Sequence, residues 1–254
     1  MKKFFKVLTM ALCLSLVVLS FAACGGNNEA TDVAKLNIGT NAEFPPFEFV
    51  DSELGVIGEF AGIDMEIINE IAKSIDSEAV INNMDFDSLL IALENGQVDA
   101  VIAGMTVTPE RAEQVDFSET YYTAAQVMIV PEDSAIASSA DMADKKIGVI
   151  EGYTGQTCVE ELGFAYDSFK KGPDAILDLV NGKLDVVVID SITAEKYVAD
   201  NEGLKIVEDN AAFGAEEYAI AVKKGNTELL DSINAKIKEM KDSGAIDEIS
   251  AKYN

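Results

Sequence analysis

The chain has 254 residues, a formal charge of −26, no histidine and only three cysteines. That length holds two lobes of about 100 residues, each with its own core. The charge argues against nucleic acid or an anionic lipid surface as partner. No metal site is expected: histidine is absent, the cysteines are few, and the acids lack calcium-loop spacing.

Residues 1–23 read as a secretory leader. Lys2, Lys3 and Lys6 precede an apolar run from Val7 to Ala23 that is interrupted only by Thr9, Ser15 and Ser20. The leader carries no acid, so its removal takes the charge from −26 to −29. Phe21-Ala22-Ala23-Cys24 resembles a bacterial lipobox, with Phe21 where leucine is usual. Cys24 would then carry the lipid, palmitate included, that anchors the chain to the outer face of the cell membrane. Residues 24–34 are polar and form a tether. Cys13 leaves with the leader and Cys24 is lipidated, so Cys158 has no disulfide partner and reads as a small packing residue.

The folded part is expected from Lys35. Leu36 to Thr40 alternates as a strand. Asn41 to Phe49, with Pro45-Pro46, suits a rigid loop. Phe60 to Ile75 reads as a helix with Ile63, Ile67, Ile68 and Ile71 on one face. Glu78–Asn82 predicts a strand, Ser88–Glu94 a helix and Ala100–Ala103 a strand. Thr108-Pro109 then opens a short helical turn through Arg111. Strands follow at Val127–Val130 and Lys146–Ile150, with a helical turn at Asp141–Asp144 between them. A helix is expected from Thr157 to Gly163, and another at Asp174–Val180. Asp185–Ile189 is a strand, Thr193–Ala199 a helix and Tyr218–Val222 a late strand. Glu228–Lys241 is an amphipathic helix broken by Gly244, with a short final turn after it.

One phrase occurs twice. Leu93-Glu94-Asn95-Gly96-Gln97-Val98-Asp99 runs into Ala100-Val101-Ile102-Ala103-Gly104. Leu179-Val180-Asn181-Gly182-Lys183-Leu184-Asp185 runs into Val186-Val187-Val188-Ile189-Asp190, 86 residues later. Each copy is a helix end, an Asn-Gly turn and an apolar run that suits a buried parallel strand. The pattern predicts an α/β chain of two lobes, with a cleft where their strand ends meet. Crossings between lobes are expected near Tyr121–Ala125 and Gly214–Glu217. They divide the chain into lobe 1, residues 35–122 and 219–254, and lobe 2, residues 123–218.

The loop after the first repeated strand carries Thr106, Thr108 and Arg111, and the second strand ends at Asp190. Arg111 could grip a carboxylate by two parallel bonds, with help from the Thr106 hydroxyl. Asp190 could accept from an ammonium. The plainer alternatives are a surface pair of Arg111 with Glu110 or Glu113, and a helix cap at Asp190 beside Ser191 and Thr193. Glu151-Gly152-Tyr153-Thr154-Gly155 follows a strand and could present backbone N–H groups to an anion, but it matches neither a Walker nor a dinucleotide pattern. Phe44 and Phe86 are candidates for a stacking wall, with core packing the default for each. Asn41, three residues before Phe44, could read a polar side chain.

Several segments in order strengthen this picture: Gly39-Thr40-Asn41-Ala42-Glu43-Phe44-Pro45-Pro46-Phe47, then Gly62-Ile63-Asp64-Met65-Glu66, then Phe86-Asp87-Ser88-Leu89-Leu90. Gly104-Met105-Thr106-Val107-Thr108-Pro109-Glu110-Arg111 follows, with Val115-Asp116-Phe117-Ser118 and Tyr121-Tyr122. From Leu36 to Tyr253 the chain resembles the polar amino-acid-binding family of bacterial ABC-importer solute-binding proteins. The resemblance implies a periplasmic binding protein type II fold, mainly parallel sheets and two hinge crossings. It implies that Arg111, Thr106, Thr154 and Gly155 hold a ligand α-carboxylate and that Asp190 holds the α-ammonium. Phe44 and Phe86 would line the side chain, and Met105 would contribute backbone. Asn41 stands where glutamine-binding relatives have an acid, and Glu151 where they have lysine. The ligand favoured is therefore a polar or basic amino acid, with cystine-like and aliphatic ligands as the open alternatives.

The resemblance also implies a monomer that docks on a membrane permease and uses no cofactor. The other classes weighed are a lipoprotein sensor of amino acids and a dehydratase-like enzyme on the same fold.

Overall fold

The computed structural model describes residues 33–253. The leader 1–23, Cys24 and most of the tether lie outside them. In chain order come β1 (Ala34–Thr40), β2 (Glu43–Phe44), β3 (Glu48–Val50), β4 (Phe60–Ala61), α1 (Ile63–Ser74), β5 (Ser77–Asn83), α2 (Leu89–Glu94) and β6 (Ala100–Val101). Then follow α3 (Pro109–Ala112), β7 (Val115–Phe117), β8 (Tyr122–Pro131), β9 (Ile147–Ile150), α4 (Thr154–Glu161), β10 (Asp167–Phe169), α5 (Gly172–Val180), β11 (Val186–Asp190) and α6 (Ser191–Asp200). The chain closes with β12 (Leu204–Val207), β13 (Ala215–Tyr218), β14 (Ala221–Lys223), α7 (Thr227–Ser243) and α8 (Ala245–Tyr253).

Two sheets of matching design organise these elements. One has the order β5-β1-β6-β14-β7 and the other β10-β9-β11-β8-β12. In each, the first three strands pair in parallel, the fourth runs against them, and the fifth pairs antiparallel with the fourth. The repeated phrase delivers the third strand of each, β6 and β11. Its aspartates do the same work twice: Asp99 accepts from the backbone N–H of Asn37 in β1 at 2.7 Å, and Asp185 from that of Lys146, just before β9, at 2.8 Å. Its glycines turn the chain with φ of +71 at Gly96 and +70 at Gly182, which an L side chain adopts only with strain.

The sheets are joined by a two-stranded ribbon. β13 pairs antiparallel with the start of β8, from Ala215 opposite Ala125 to Tyr218 opposite Tyr122. The architecture is thus the expected α/β pair of lobes with two crossings. Helix α1 buries Ile63, Ile67, Ile68 and Ile71 against the first sheet. It starts at Ile63 and not at Phe60, because Phe60 and Ala61 pair with β3 as β4. The expected loop at Asn41–Phe49 contains the β2–β3 hairpin. The strands β7, β10 and β12 are short and partly polar, and periodicity did not mark them. The final turn is the full helix α8, whose Ile246 and Ile249 are buried. No helix of the described residues is long and apolar enough to cross a membrane.

Adding a carbon at Gly182 meets nothing within 4 Å, so the strained φ alone sets the effect. Gly182→Ala should cost about 1 kcal/mol and lower the melting temperature by roughly 2–4 °C in a thermal unfolding scan. An unchanged Tm would contradict the turn's assigned role.

Candidate functional site

The strand ends of both sheets converge on one cleft. Phe44, Phe86, Ala103, Gly104, Thr106, Arg111, Tyr153, Thr154 and Asp190 line one narrow, tightly packed space. β6 delivers Gly104 and Thr106, and α3 delivers Arg111. The β9–α4 junction delivers Tyr153 and Thr154, and β11 ends in Asp190. A larger hollow, lined by Pro131, Asp133, Ser134, Ile136, Asp141, Lys145 and Asp185, lies at the other end of the second sheet, where β8 ends and β11 begins.

Arg111 is held by two carbonyls across the cleft. Its Nη1 donates to Thr106 O at 2.8 Å and its Nη2 to Gly152 O at 2.9 Å. Its guanidinium carbon sits 5.2 Å from the Phe86 ring centre, a cation–π arrangement. Neither Glu110 nor Glu113 pairs with it among the described residues, so the simple surface ion pair is not what forms. Burial lowers the Arg111 pKa, and Glu216 and Asp190 oppose that shift. Its remaining N–H groups are uncommitted among the described residues.

Asp190 is buried. It occupies the cap position of α6 without making a side-chain cap bond, and instead accepts from the Tyr218 hydroxyl at 2.6 Å. Burial first, and the nearby Glu216 second, push its pKa up to about 7, against hydrogen bonds from Tyr218 and Gln126 that lower it.

Phe44 and Phe86 flank Tyr153, with ring centres 5.4 and 4.6 Å from it. The three rings make an aromatic wall. Gly104 lies so close to Phe44 that an added carbon would sit 2.5 Å from its ring. The Gly104 N–H donates to the buried Asp64 at 2.8 Å, and the Tyr121 hydroxyl donates to the same oxygen at 3.0 Å. Glu48 packs beside Asp64, and burial raises both pKa values, that of Asp64 to about 6. Both Glu48 oxygens and Asp64 Oδ1 are buried without a hydrogen-bond partner, which favours the protonated form of these carboxyls.

The other sequence candidates fall at varied depths. Met105 is fully buried and its carbonyl accepts from Ala219 N at 3.0 Å. Asn41 does not line the space. It bridges Met84 O at 2.9 Å and the Tyr153 hydroxyl at 3.0 Å. Glu151 points away, with 42% of its side chain exposed, and pairs with Lys170 at 2.8 Å. Gly155 lies one step behind Thr154, where an added carbon would meet Val188 O and Gln126 Oε1 at 2.8 Å. Helix α4 begins at Thr154, three residues earlier than expected, so the N–H groups of Thr154 and Gly155 belong to its unbonded first turn. Cys158 sits half-buried on α4, and burial pushes its thiol up to about 11, which keeps it protonated and unreactive.

Sequence reasoning missed Glu216, Gln126 and Tyr218. Glu216 Oε2 accepts from Thr106 Oγ1 at 2.8 Å, Thr154 Oγ1 at 2.8 Å and Gln126 Nε2 at 3.2 Å. No motif marks it. Further out, Lys170 pairs with Asp87 at 2.8 Å and Lys171 with Glu43 at 2.6 Å, and the Tyr197 hydroxyl donates to Glu43 O at 3.0 Å. These contacts latch the two sides of the cleft together.

A carboxyl whose folded pKa lies above its unfolded value costs stability once it ionises. For Asp190 the cost is absent below about pH 4, grows between pH 4 and 7, and is complete above 7. Asp190→Asn keeps an acceptor for Tyr218. It should stabilise the refolded protein at pH 8 by roughly 2–4 kcal/mol, a gain that shrinks toward zero near pH 4. Thermal melts at the two pH values check this, and equal shifts at both would contradict it.

The chain matches the family model of bacterial extracellular solute-binding proteins, family 3, over residues 36–254. It is 34% identical to the arginine-binding extracellular protein ArtP of Bacillus subtilis, covering 100% of this chain and 98% of that one. It is 35% identical to a probable histidine-binding protein of Neisseria gonorrhoeae, covering 96% and 94%. The crystal structure of the arginine-, lysine-, histidine-binding protein ArtJ from Geobacillus stearothermophilus superposes with a TM-score of 0.80 at 32% identity, covering 86% of this chain and 94% of that one. Fold and sequence agree along almost the whole folded length, and the chain belongs to the bacterial extracellular solute-binding proteins, family 3.

Proposed function

We propose that this protein captures a free α-amino acid, with a basic side chain favoured, and delivers it to the membrane permease of an ABC importer. The observation that carries the reading is the placement of Arg111 and Asp190 on one small, aromatic-walled space. A guanidinium with uncommitted donors suits the α-carboxylate, and a buried carboxylate suits the α-ammonium. Withdrawn from water, both pairings gain strength, provided each charge is hydrogen-bonded.

Charge balance favours the basic side chain. Among the described residues Arg111 is the one cation lining the space, Asp190 lines it too, and Glu216 stands just behind Thr106 and Thr154. A zwitterion leaves that excess in place and a cationic amino acid offsets it. Relatives whose names specify arginine or histidine support the same choice. Glu151 no longer enters the argument, since Lys170 neutralises it. The polar groups at the cleft hold fixed partners, which suits a binding protein and not an enzyme. In this reading residues 35–122 with 219–254 close against residues 123–218, the chain acts as a monomer, and Cys24 anchors it by lipid outside the cell.

The test is calorimetric titration of the mature chain, refolded to strip carried ligand, with the twenty amino acids, ornithine and cystine. Micromolar or tighter binding of arginine, lysine, ornithine or histidine is expected, and no binding of any amino acid would sink the proposal. Arg111→Ala should weaken binding by about 2–5 kcal/mol, because it strips a partner from a buried carboxylate. Near-normal affinity in that variant would refute the assigned carboxylate clamp.

A further inference from the structure

Tyr153 is an unusual residue for its position. It stands at the N-cap of α4 in extended backbone, where serine, threonine, asparagine or aspartate would accept from the first turn, and its side chain makes no cap bond. The phenol reaches across the cleft instead. Its ring is flanked by Phe44 and Phe86 and meets both edge-on, at interplanar angles of 86° and 62°. Its hydroxyl donates to Asn41 Oδ1, and the Asn41 amide donates in turn to Met84 O. Tyr153 is only 6% exposed. It follows β9 of the second sheet, whereas Asn41, Phe44 and Phe86 follow β1 and β5 of the first.

The two phenylalanines are fixed walls. Phe44 stacks on Phe47 at 5.6 Å, and Gly104 is pressed against its ring. Phe86 carries the Arg111 guanidinium. Tyr153 is rooted on the opposite side of the cleft, so a parting of the two sides would withdraw it from both rings and from Asn41 together. With Arg111 and Asp190 meeting the two charges of an α-amino acid, the slot between Phe44 and Phe86 is the apolar surface left for its side chain. Tyr153 fills that slot.

We propose that Tyr153 is a specificity-determining residue: it occupies the slot between Phe44 and Phe86 as an internal competitor, and a ligand side chain longer than one carbon enters only by displacing it. The proposal rests on the amino-acid reading above and sets a threshold within it. A side chain that ends at its β-carbon leaves Tyr153 in place. A longer one breaks two aromatic contacts and a buried hydrogen bond, so it must return contacts of similar strength. A cationic side chain does so by lying over the freed phenylalanine rings, which attract positive charge. An aliphatic chain of equal length returns burial alone.

The experiment measures the affinities of wild type, Tyr153→Phe and Tyr153→Ala for arginine, directly by calorimetry, and for alanine, by competition against arginine. Both ligands carry the same α-carboxylate and α-ammonium, so the ratio of their affinities isolates the slot. Tyr153→Ala empties it and should raise the ratio of arginine to alanine affinity about tenfold or more. Tyr153→Phe keeps the ring but not the bond to Asn41, and should raise the ratio by about threefold. An unchanged ratio in Tyr153→Ala would show a merely structural role and overturn the proposal. So would a fall in the ratio, which would make Tyr153 a wall that holds the side chain. Crystals of the wild type grown with arginine give a second reading that needs no variant. The Tyr153 ring should lie outside the slot with its bond to Asn41 broken, and a ring still lodged between Phe44 and Phe86 would overturn the proposal as well. Failure of the wild type to bind any amino acid would instead refute the reading on which the proposal rests, and the proposal would fall with it.

Discussion

Asp190 lines one small cleft and Glu216 stands behind its Thr106 and Thr154, and among the described residues neither carboxyl has a cation in ion-pair reach. Arg111 shares the space, but its hydrogen bonds go to carbonyls and not to either acid. Desolvation makes this arrangement costly, and the raised pKa of Asp190 is the visible sign of that cost. Neutral donors offset part of it. Tyr218 serves Asp190, and Thr106, Thr154 and Gln126 serve Glu216. Under the proposed function, the ammonium of an amino acid would supply the positive charge that offsets these acids.

The fold supplies such a cleft by using one design twice. Parallel strands end at the same level in each sheet, so their following loops meet. β6 yields Gly104 and Thr106, β11 yields Asp190, and β9 yields the first turn of α4. The ribbon of β8 and β13 contributes Gln126, Glu216 and Tyr218 from beneath. Binding groups thus come from both sheets and from their connection. Under the proposed function, a change in the angle between the sheets would alter all of them together and so couple closure to recognition.

Much of this was legible in the sequence where the signal is local. The Asn-Gly repeat announced two equivalent strands, because a left-handed turn and a strand-tying aspartate need particular residues at particular steps. Arg111 and Asp190 stood out because they follow those strands. Glu216 did not, because its meaning lies in partners 110, 90 and 62 residues away. Glu151 misled for the same reason: Lys170, which neutralises it, belongs to a different stretch of chain. The start of α4 was misplaced because Gly155 reads as a turn residue, whereas its small size serves close packing against Val188. β10 and β12 escaped notice because edge strands of three or four partly exposed residues carry no clear alternation.

The central claim, that a buried carboxylate awaits an ammonium, is tested most directly by counting protons released on binding. Arginine is titrated calorimetrically at pH 7 in buffers of different ionisation enthalpy. With Asp190 near its midpoint and its pKa lowered by the arriving ammonium, a fraction of a proton should leave per ligand bound at pH 7, and the wild type and Asp190→Asn should converge toward pH 9, where the ligand's own α-amine takes up protons on binding in both. Asp190→Asn should abolish the release. Strong arginine binding with the same enthalpy in every buffer at pH 7 would contradict the account, since the ammonium would then be meeting no titrating carboxylate.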